Sequence, residues 1–521
     1  MKKRKIAVTI ALAAVITATP ALAACSGDHY SEVKFEAQDT SYAVTSQGGS
    51  AVSYGNYVYF INGTRGYDDT EGNANVWGEA VKGGLYRAEL KGKAVEKDGL
   101  KTFAPAADDK GYEFVYEEKE DYFKKPIDVV TTTKIALKTI GTSGYSQGGI
   151  FIYDNAVYFA SPNNRKNSTG TVQTTLTDFF MMPLSGGKPT LLYTTKQDTS
   201  SSAYAFYKFG DNVYLTVNEG SSIVSVKIDP KKAKADDPQV YEVGATSVYF
   251  PVRDTYYNGI STDTPEDFIY FVRNVKDEDK QRSGTVIEAM RPDGSEQFVL
   301  SMTGATETIE AVRDGVLFIK TKQMGSDVLK YTNLHDELMQ YSPTYKEAQN
   351  GKSADEKNAP VHGDMILSSG VTSLYPFRGN RLSNVVYYVG VGSDNMWLYD
   401  STGSMHLIAS ATGTPQFIRD NYLYYAGSAS DYYRVPLFKH MDGFGGEATQ
   451  LASGTTSAGI SCDYAAGYFT YFAEVDQWAS GYTYFYKLDG REGAEPIFVG
   501  DIAEADQPTE EQIKNITGET D

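Results

Sequence analysis

The sequence predicts an all-β fold, and three observations lead to that prediction. The composition favours strands and turns, with 40 Tyr and 49 Gly against 11 Met and 5 His among 521 residues. A short aromatic phrase returns along the chain, as it does in repeat proteins. Within a copy of the phrase such as Tyr57 to Phe60, apolar residues occupy both strand parities, so both faces of the strand must be covered.

The repeated phrase is a turn pair of Gly, Asn or Asp type, followed by an aliphatic residue and two aromatic or large apolar residues. Eight copies occur, at 55–60, 154–159, 211–215, 266–271, 314–318, 384–388, 420–425 and 467–472. Successive copies are separated by 99, 56, 56, 47, 70, 37 and 47 residues. The shortest intervals match the roughly 40 to 50 residues of a four-stranded propeller blade. The sequence therefore predicts a single β-propeller of eight blades, within a range of seven to nine.

A second phrase follows the first in most copies and ends in a tight turn. Its copies are Leu85–Arg87, Met182–Leu184, Ala289–Met290, Trp397–Tyr399 and Tyr486–Leu488. Each unit is therefore predicted as strand, loop, strand, tight turn and strand. Face-to-face stacking of such units hides them from water and leaves few exposed edges.

This pattern resembles the β-propeller repeats of a bacterial domain-of-unknown-function family found on surface lipoproteins, over roughly residues 50 to 500. The chain lacks the Tyr-Trp-Thr-Asp run, the Trp-Asp dipeptide and the sialidase Asp box of better-studied propellers. The resemblance therefore implies a fold and a surface location, and it transfers no ligand or activity.

The chain divides into four predicted regions: a signal peptide (1–24), a tether (25–48), the propeller (49–500) and an acidic tail (501–521). Within the tether, Glu32–Phe35 is a candidate strand for closing the ring against Pro496–Val499. Two insertions interrupt the repeats, at 95–145 and 332–362, and the first is either a loop or a ninth blade. Long loops of compact domains often carry function, so a partner site is expected on one of these insertions.

The N-terminus predicts export. Four basic residues at positions 2–5 precede the apolar run Ile6–Ile16, whose 11 residues are too few to span a bilayer. The segment Leu22–Cys25 resembles the lipobox of bacterial lipoproteins, which implies that Cys25 becomes the first mature residue and carries a diacylglyceryl group. Two acyl chains hold a protein stably at a membrane. The alternative is ordinary signal-peptidase cleavage after Ala23, which would release a soluble protein.

Charge and cysteine usage restrict the partners and cofactors. The formal charge is −19, and loss of the four basic residues at positions 2–5 takes it to −23. Such acidity disfavours nucleic acid and electrostatic attachment to anionic lipid. The one cysteine besides Cys25 is Cys462, which we predict to be a small buried strand residue. We expect no disulfide framework, no metal and no cofactor.

Four short motifs resemble catalytic or metal-binding signatures, but each lacks a required feature. Gly144–Gly148 has the nucleophile-elbow pattern but precedes a β run, whereas an elbow requires a helix there. His335–Glu337 lacks a second histidine four residues on, and Gly351–Ser353 has Lys346 where a phosphate-binding loop needs glycine. The segment Asp69–Asn75 carries oxygen-bearing side chains at alternate positions, as a calcium loop does. Its glycine is not at the position that a calcium loop requires, and no bidentate glutamate follows at the right distance. We predict no catalytic residue.

Two functional classes remain after these exclusions. The first is a non-catalytic binding module for an envelope polymer, peptide or protein, anchored to the outer face of the cell membrane. The second is an extracytoplasmic glycan hydrolase whose carboxylate pair comes together only in the fold. Trp77, in a Gly- and Asn-rich loop, is the candidate ligand-binding residue, whereas Trp397 lies inside the repeat and Trp478 outside it.

Overall fold

A computed structural model provides the structure of the chain. It describes residues 44–45, 51–54, 57–61, 85–91, 102–105, 112–115, 128–136, 149–162, 168–169, 176–185, 188–196, 204–251, 267–277, 282–303, 307–313, 316–334, 362–367, 370–371, 373–377, 386–419, 422–427, 431–437, 447–452, 461–463, 468–474, 483–488 and 497–499. The 36 regular elements in these ranges are all β-strands. The all-β class predicted from the sequence is confirmed.

The strands follow one another in short antiparallel runs. Those of the first half are β1 (Val44–Thr45), β2 (Ala51–Tyr54), β3 (Tyr57–Ile61), β4 (Leu85–Lys91), β5 (Thr102–Pro105), β6 (Tyr112–Val115), β7 (Asp128–Ala136), β8 (Phe151–Tyr153), β9 (Ala156–Pro162), β10 (Thr177–Pro183), β11 (Thr190–Thr194), β12 (Tyr204–Phe209), β13 (Asn212–Glu219), β14 (Ser222–Asp229), β15 (Lys234–Ala235), β16 (Gln239–Tyr241), β17 (Ala245–Tyr249) and β18 (Ile269–Asp277).

Those of the second half are β19 (Arg282–Met290), β20 (Phe298–Thr303), β21 (Glu307–Arg313), β22 (Val316–Gln323), β23 (Ser326–Asn333), β24 (His362–Ile366), β25 (Ser373–Phe377), β26 (Tyr387–Val391), β27 (Met396–Asp400), β28 (Met405–Ala409), β29 (Thr414–Arg419), β30 (Tyr422–Ala426), β31 (Tyr432–Pro436), β32 (Thr449–Ala452), β33 (Ser461–Asp463), β34 (Tyr468–Glu474), β35 (Thr483–Leu488) and β36 (Ile497–Val499).

These strands form eight sheets of four or five strands, and β5 and β6 form a separate hairpin. We number the sheets 1 to 8 along the chain: β2-β3-β4-β7, β1-β8-β9-β10-β11, β12-β13-β14-β15 with β16 also on β14, β17-β18-β19-β20, β21-β22-β23-β24, β25-β26-β27-β28, β29-β30-β31-β32 and β33-β34-β35-β36. Sheets 1 and 8 contact each other through β2 with β33 and through β7 with β36. The fold is a β-propeller, as predicted; the number of blades in the ring stays a prediction.

The repeated aromatic phrase falls on the corresponding strand of every sheet. It lies on the strand that pairs with the first strand of the repeat unit: β3, β9, β13, β18, β22, β26, β30 and β34, with Val386 just before β26. The second phrase lies on the next strand, at β4, β10, β19, β27 and β35. These strands sit in the middle of their sheets, which explains why the phrase is the part of each unit richest in apolar residues.

Alternate residues of the phrase pack against opposite neighbouring sheets. In sheet 4, Ile269 and Phe271 join a core shared with sheets 2 and 3, whereas Tyr270 and Val272 join a core shared with sheet 5. In sheet 5, Leu317 faces sheet 4 and Phe318 faces sheet 6. A further core joins sheet 6 to sheet 7. Sheets 4, 5 and 6 therefore each have two buried faces, which accounts for apolar residues at both parities of their phrases.

The sheets present two ends, which we call the lower and the upper face. The lower face carries the first tight turn of each unit, such as Asp154–Asn155, where φ values of 49° and 58° give the hairpin its primed turn. It also carries the turns that join the third strand to the fourth, including those at Gly294 and Gly403. The upper face carries the hairpin tips at Gly220 and at Met324–Gly325, together with the connections between sheets.

The insertion at 95–145 contributes the hairpin of β5 and β6 and also β7, which completes sheet 1. In sheet 8, β36 pairs with β35, and the candidate closing strand Glu32–Phe35 lies outside the described residues. Near the N-terminal end of the described residues, β1 pairs with β8 in sheet 2. Most of the 332–362 insertion and the 501–521 tail also lie outside the described residues.

Candidate functional site at the centre of the upper face

The first strands of the sheets approach one another at the centre of the propeller. β21 contacts β25, β25 contacts β29, and β2 contacts both β1 and β33. Each of these strands is paired on one side with the second strand of its own sheet. The beginnings of these strands therefore lie around the centre, towards the upper face.

Three first strands carry a β-bulge in their upper half, and each bulge adds a polar residue. The pairing register shifts between Ala245 and Ser247 in β17, between Ile309 and Ala311 in β21, and between Pro415 and Phe417 in β29. The extra residues are Thr246, Glu310 and Gln416. Bulges bend a strand and redirect a side chain, and they are frequent next to functional sites.

The bulges of β21 and β29 occupy the same height in their sheets. Arg313 pairs with Val316 at the lower end of β21, and Arg419 pairs with Tyr422 at the lower end of β29. Glu310 lies three residues before Arg313, and Gln416 lies three residues before Arg419. The two bulged residues are therefore structural equivalents, a carboxylate in one sheet and an amide in the other.

The side chains around these bulges are small, polar and accessible. Thr246, Ser247, Thr308 and Thr414 are exposed, and Glu310 and Gln416 are half-buried. The Gln416 amide nitrogen donates to the Thr414 carbonyl oxygen at 3.3 Å, and the Thr308 hydroxyl donates to Glu310 Oε1 at 3.3 Å. The upper centre thus offers hydroxyl, amide and carboxylate groups that remain open to a ligand.

Glu310 differs from the neighbouring glutamate of the same strand. Glu307 is buried, lies 3.2 Å from Lys330 Nζ, and donates its backbone amide to Thr285 Oγ1 at 3.1 Å. Glu310 has no cation within salt-bridge distance in the described part of the chain. A fully buried carboxylate is costly unless it is paired, whereas a half-buried carboxylate is still hydrated and can be unpaired in the absence of a ligand. Glu310 is therefore the carboxylate at the centre that can bind a cation.

Other buried charged groups hold sheet 4 together. Glu288 accepts hydrogen bonds at 2.7 Å from Arg273 Nε through Oε1 and from Gln297 Nε2 through Oε2. Arg291 is fully buried, stacks on the rings of Phe268 at 4.0 Å and Phe209 at 5.1 Å, and pairs with Glu296 at 2.8 Å. Both carboxylates are thus engaged by partners on their own sheet, and removal of one partner would leave a buried charge uncompensated.

Of the residues singled out from the sequence, the described part of the chain includes Trp397. It lies in β27 and packs, partly buried, against the core between sheets 5 and 6. Cys25, Trp77, Trp478 and the four short motifs at 69–75, 144–148, 335–337 and 351–353 lie outside the described residues. Cys462 is in β33, as predicted for a strand residue. None of these positions includes the central bulges.

The central residues could have been found by aligning repeats upstream of the aromatic phrase. The segments 308–315 and 414–421 share threonine at the first position and Arg-Asp at the sixth and seventh, with Glu310 and Gln416 at the third. The aromatic phrase begins at the turn that ends these segments, so it includes neither Glu310 nor Gln416. Which residue is bulged depends on pairing between strands, and composition does not reveal that.

The described residues contain neither a metal-binding group of side chains nor a membrane-spanning helix. No group of three or more His, Cys, Asp or Glu side chains lies in an arrangement that could hold a metal ion there. That part of the chain also contains no helix that is long and apolar enough to cross a bilayer.

Comparison with known proteins yields similarities of fold. No protein-family model and no curated protein matches the chain. Among solved structures, the β-propeller domain of the Trilobed protease from Pyrococcus furiosus is 10% identical, with 80% of this chain and 97% of that chain covered and a TM-score of 0.34. The Dos1 propeller is 8% identical, with 86% and 95% covered and a TM-score of 0.38.

A third similar structure is the acylaminoacyl peptidase of Pyrococcus horikoshii. It is 12% identical, with 68% of this chain and 52% of that chain covered and a TM-score of 0.37. The chain thus spans about half the length of that peptidase. Identities and TM-scores this low transfer no ligand and no activity.

Proposed function

We propose that the chain is a lipid-anchored extracytoplasmic protein that binds a ligand, without chemistry, at the upper centre of its propeller. The observation that carries the binding part is the set of β-bulges in first strands, where Glu310 and Gln416 occupy equivalent positions in β21 and β29 and Thr246 is exposed in β17. The segment Leu22–Cys25 supports the anchor. The ligand class is an envelope polymer, a peptide or a protein.

The hydrolase alternative needs two carboxylates that flank a glycosidic bond, about 5–10 Å apart. At the upper centre, Glu310 is accessible among the described side chains, whereas Glu307 is buried and paired with Lys330. A single available carboxylate does not make such a pair. This arrangement favours binding over hydrolysis.

The anchor can be tested with the two cysteines of the chain. In a bacterial host fed a labelled fatty acid, the wild-type chain and the matched control Cys462→Ala should carry the label and sediment with membranes. Cys25→Ala should lose both properties, because it has no thiol to alkylate. A chain that stays labelled with Cys25→Ala, or one that is never labelled, would contradict the anchor.

The binding site can be tested with panels of envelope glycans and peptides applied to the wild-type protein and to Glu310→Gln. This substitution keeps the size of the side chain and removes its charge. A ligand held at the centre should bind Glu310→Gln more weakly, and should be recovered chemically unchanged. Release of a cleaved glycan would instead support the hydrolase.

A further inference from the structure

Met324 is the most exposed large apolar residue of the described chain, at 107% of its reference exposure. It occupies the tip of the hairpin between β22 and β23 and has a φ of 50°, in the left-handed region. Glycine follows at position 325 with a φ of 86°. Asn, Asp or Gly normally fills the first position of such a turn, because other residues are strained there. An exposed and strained methionine suggests a role in contact rather than in folding.

The hairpin places Met324 above the central bulge of the same sheet. Glu307, the first residue of β21, pairs with Thr321, so β22 continues past the end of β21 to reach its tip. Glu310 is the bulged residue opposite Phe318 and Ile319. Met324 is five residues beyond Ile319, which at about 3.3 Å per residue is roughly 17 Å along the strand. A ligand that touches both residues must be extended over about five peptide units.

Charge restricts the ligand further. The chain has a net charge of −19, and Glu310 has no cation within salt-bridge distance in the described residues. A negatively charged protein attracts and orients a cationic ligand. An ammonium or guanidinium group that pairs with Glu310 would form a charge-assisted hydrogen bond.

The exposed apolar residues favour a polypeptide over a glycan. Those of the described chain are Leu191, Val240, Val299, Met324, Met405 and Leu407, and none of them is aromatic. Sugar rings are typically held by stacking on aromatic faces, whereas methionine adapts its flexible, polarisable side chain to varied apolar side chains of a peptide.

From these observations we infer that the upper face binds an extended, cationic polypeptide segment, with a Lys or Arg at Glu310 and an apolar side chain against Met324. The inference rests on the proposed function and names the ligand class of that site. Thr308, whose hydroxyl lies 3.3 Å from Glu310 Oε1, provides a hydrogen-bonding group beside the segment.

The test is selection of binders from a phage-displayed library of random dodecapeptides on the full mature protein in detergent micelles. Enriched peptides are synthesised, and their affinities are measured by fluorescence anisotropy. The variants are Glu310→Gln and Met324→Gly. The matched control is Met405→Ala, which removes another exposed methionine, at 51%, from a strand next to the lower face. Glycine suits a φ of 50°, so Met324→Gly relieves strain and does not threaten the fold.

The inference expects peptides rich in Lys and Arg that also carry an apolar residue. Glu310→Gln should weaken them about tenfold and reduce the salt dependence of binding, and Met324→Gly should weaken them several-fold. Met405→Ala should leave affinity unchanged. Enrichment of neutral or acidic peptides would overturn the inference. So would peptide affinities that are the same for the wild type, Glu310→Gln and Met324→Gly.

A glycan array run in parallel separates this inference from the proposed function. Glycan binders that depend on Glu310, with no peptide enriched, would overturn the peptide inference and leave the binding function standing. The absence of a binder in both libraries would overturn both.

Discussion

Tyr193 and Glu219 join sheets 2 and 3 through a buried hydrogen bond of 2.5 Å from the tyrosine hydroxyl to Oε1. Tyr193 lies on β11, the outermost strand of sheet 2, and Glu219 ends β13, so the bond connects the outer part of one sheet to the middle of the next. Burial, and then the hydrogen bond to Glu219, raise the pKa of Tyr193 well above its usual value. The Lys196 backbone amide approaches Oε2 at 3.4 Å.

The first prediction concerns this bond. Tyr193→Phe should lower the free energy of unfolding by about 1.5–3 kcal/mol, because a buried carboxylate loses its short donor. Denaturant titration of the mature protein measures the change. The matched control is Tyr433→Phe, whose hydroxyl contacts Asp431 at 3.2 Å from a less buried position, and which should cost under about 1 kcal/mol. Equal losses in the two variants would contradict the prediction.

The second prediction compares two glycines in equivalent lower-face turns. Gly294 and Gly403 have φ values of 78° and 91°, and each amide donates to the carbonyl three residues before it. The Tyr241 ring lies directly on Gly294 and its hydroxyl donates to the Asp293 carbonyl at 2.7 Å, whereas the space beside Gly403 is open.

Gly403→Ala should therefore cost about 1 kcal/mol, from conformation alone. Gly294→Ala should cost clearly more, about 2–4 kcal/mol, because the new methyl group must displace Tyr241. Thermal or chemical unfolding of both variants measures the difference. If Gly403→Ala proved the more harmful, the described packing of Tyr241 would be wrong.

The third prediction concerns the cores between sheets. Leu317 is fully buried between sheets 4 and 5, and Leu407 is 38% exposed on β28. Leu317→Ala should lower the free energy of unfolding by about 2–5 kcal/mol through lost contacts and a cavity. The same change at Leu407 should cost under about 1.5 kcal/mol, because less area leaves the core. Comparable losses would indicate that the sheets do not pack as described.

The fourth prediction is a fall in stability at alkaline pH. Burial, and then the neighbouring Tyr433, raise the pKa of Tyr425 to about 12. An unfolded tyrosine titrates near 10, so between about pH 10 and 12 the unfolded chain binds fewer protons than the folded one. The contribution is fully present below pH 10 and is lost as the pH rises through 12.

Thermal unfolding of the wild type and of Tyr425→Phe across pH 8 to 11.5 measures this loss. The variant has one phenol fewer to titrate, so its melting temperature should fall less steeply above about pH 10. Identical slopes would show that Tyr425 does not contribute.

The repeat unit was predictable because one strand of the unit is buried on both faces and therefore requires apolar residues at every position. Tyr270 and Ile269 face different cores, so neither parity of that strand can be polar, and the phrase stands out in the sequence. The position of Glu310 was not predictable from that phrase. It depends on a slip of register between β21 and β22, and a polar residue in a first strand is not unusual by itself.

The direction of β1 shows at which face of the propeller the N-terminal part of the chain enters. Val44 pairs with Ile152, near the turn at Asp154, and Thr45 pairs with Phe151, so the chain enters the centre from the lower face. The 19 residues from Cys25 to Val44 can reach at most roughly 65 Å. If Cys25 is acylated, this entry point favours an orientation in which the lower-face turns are nearer to the lipid headgroups and Met324 lies on the opposite face.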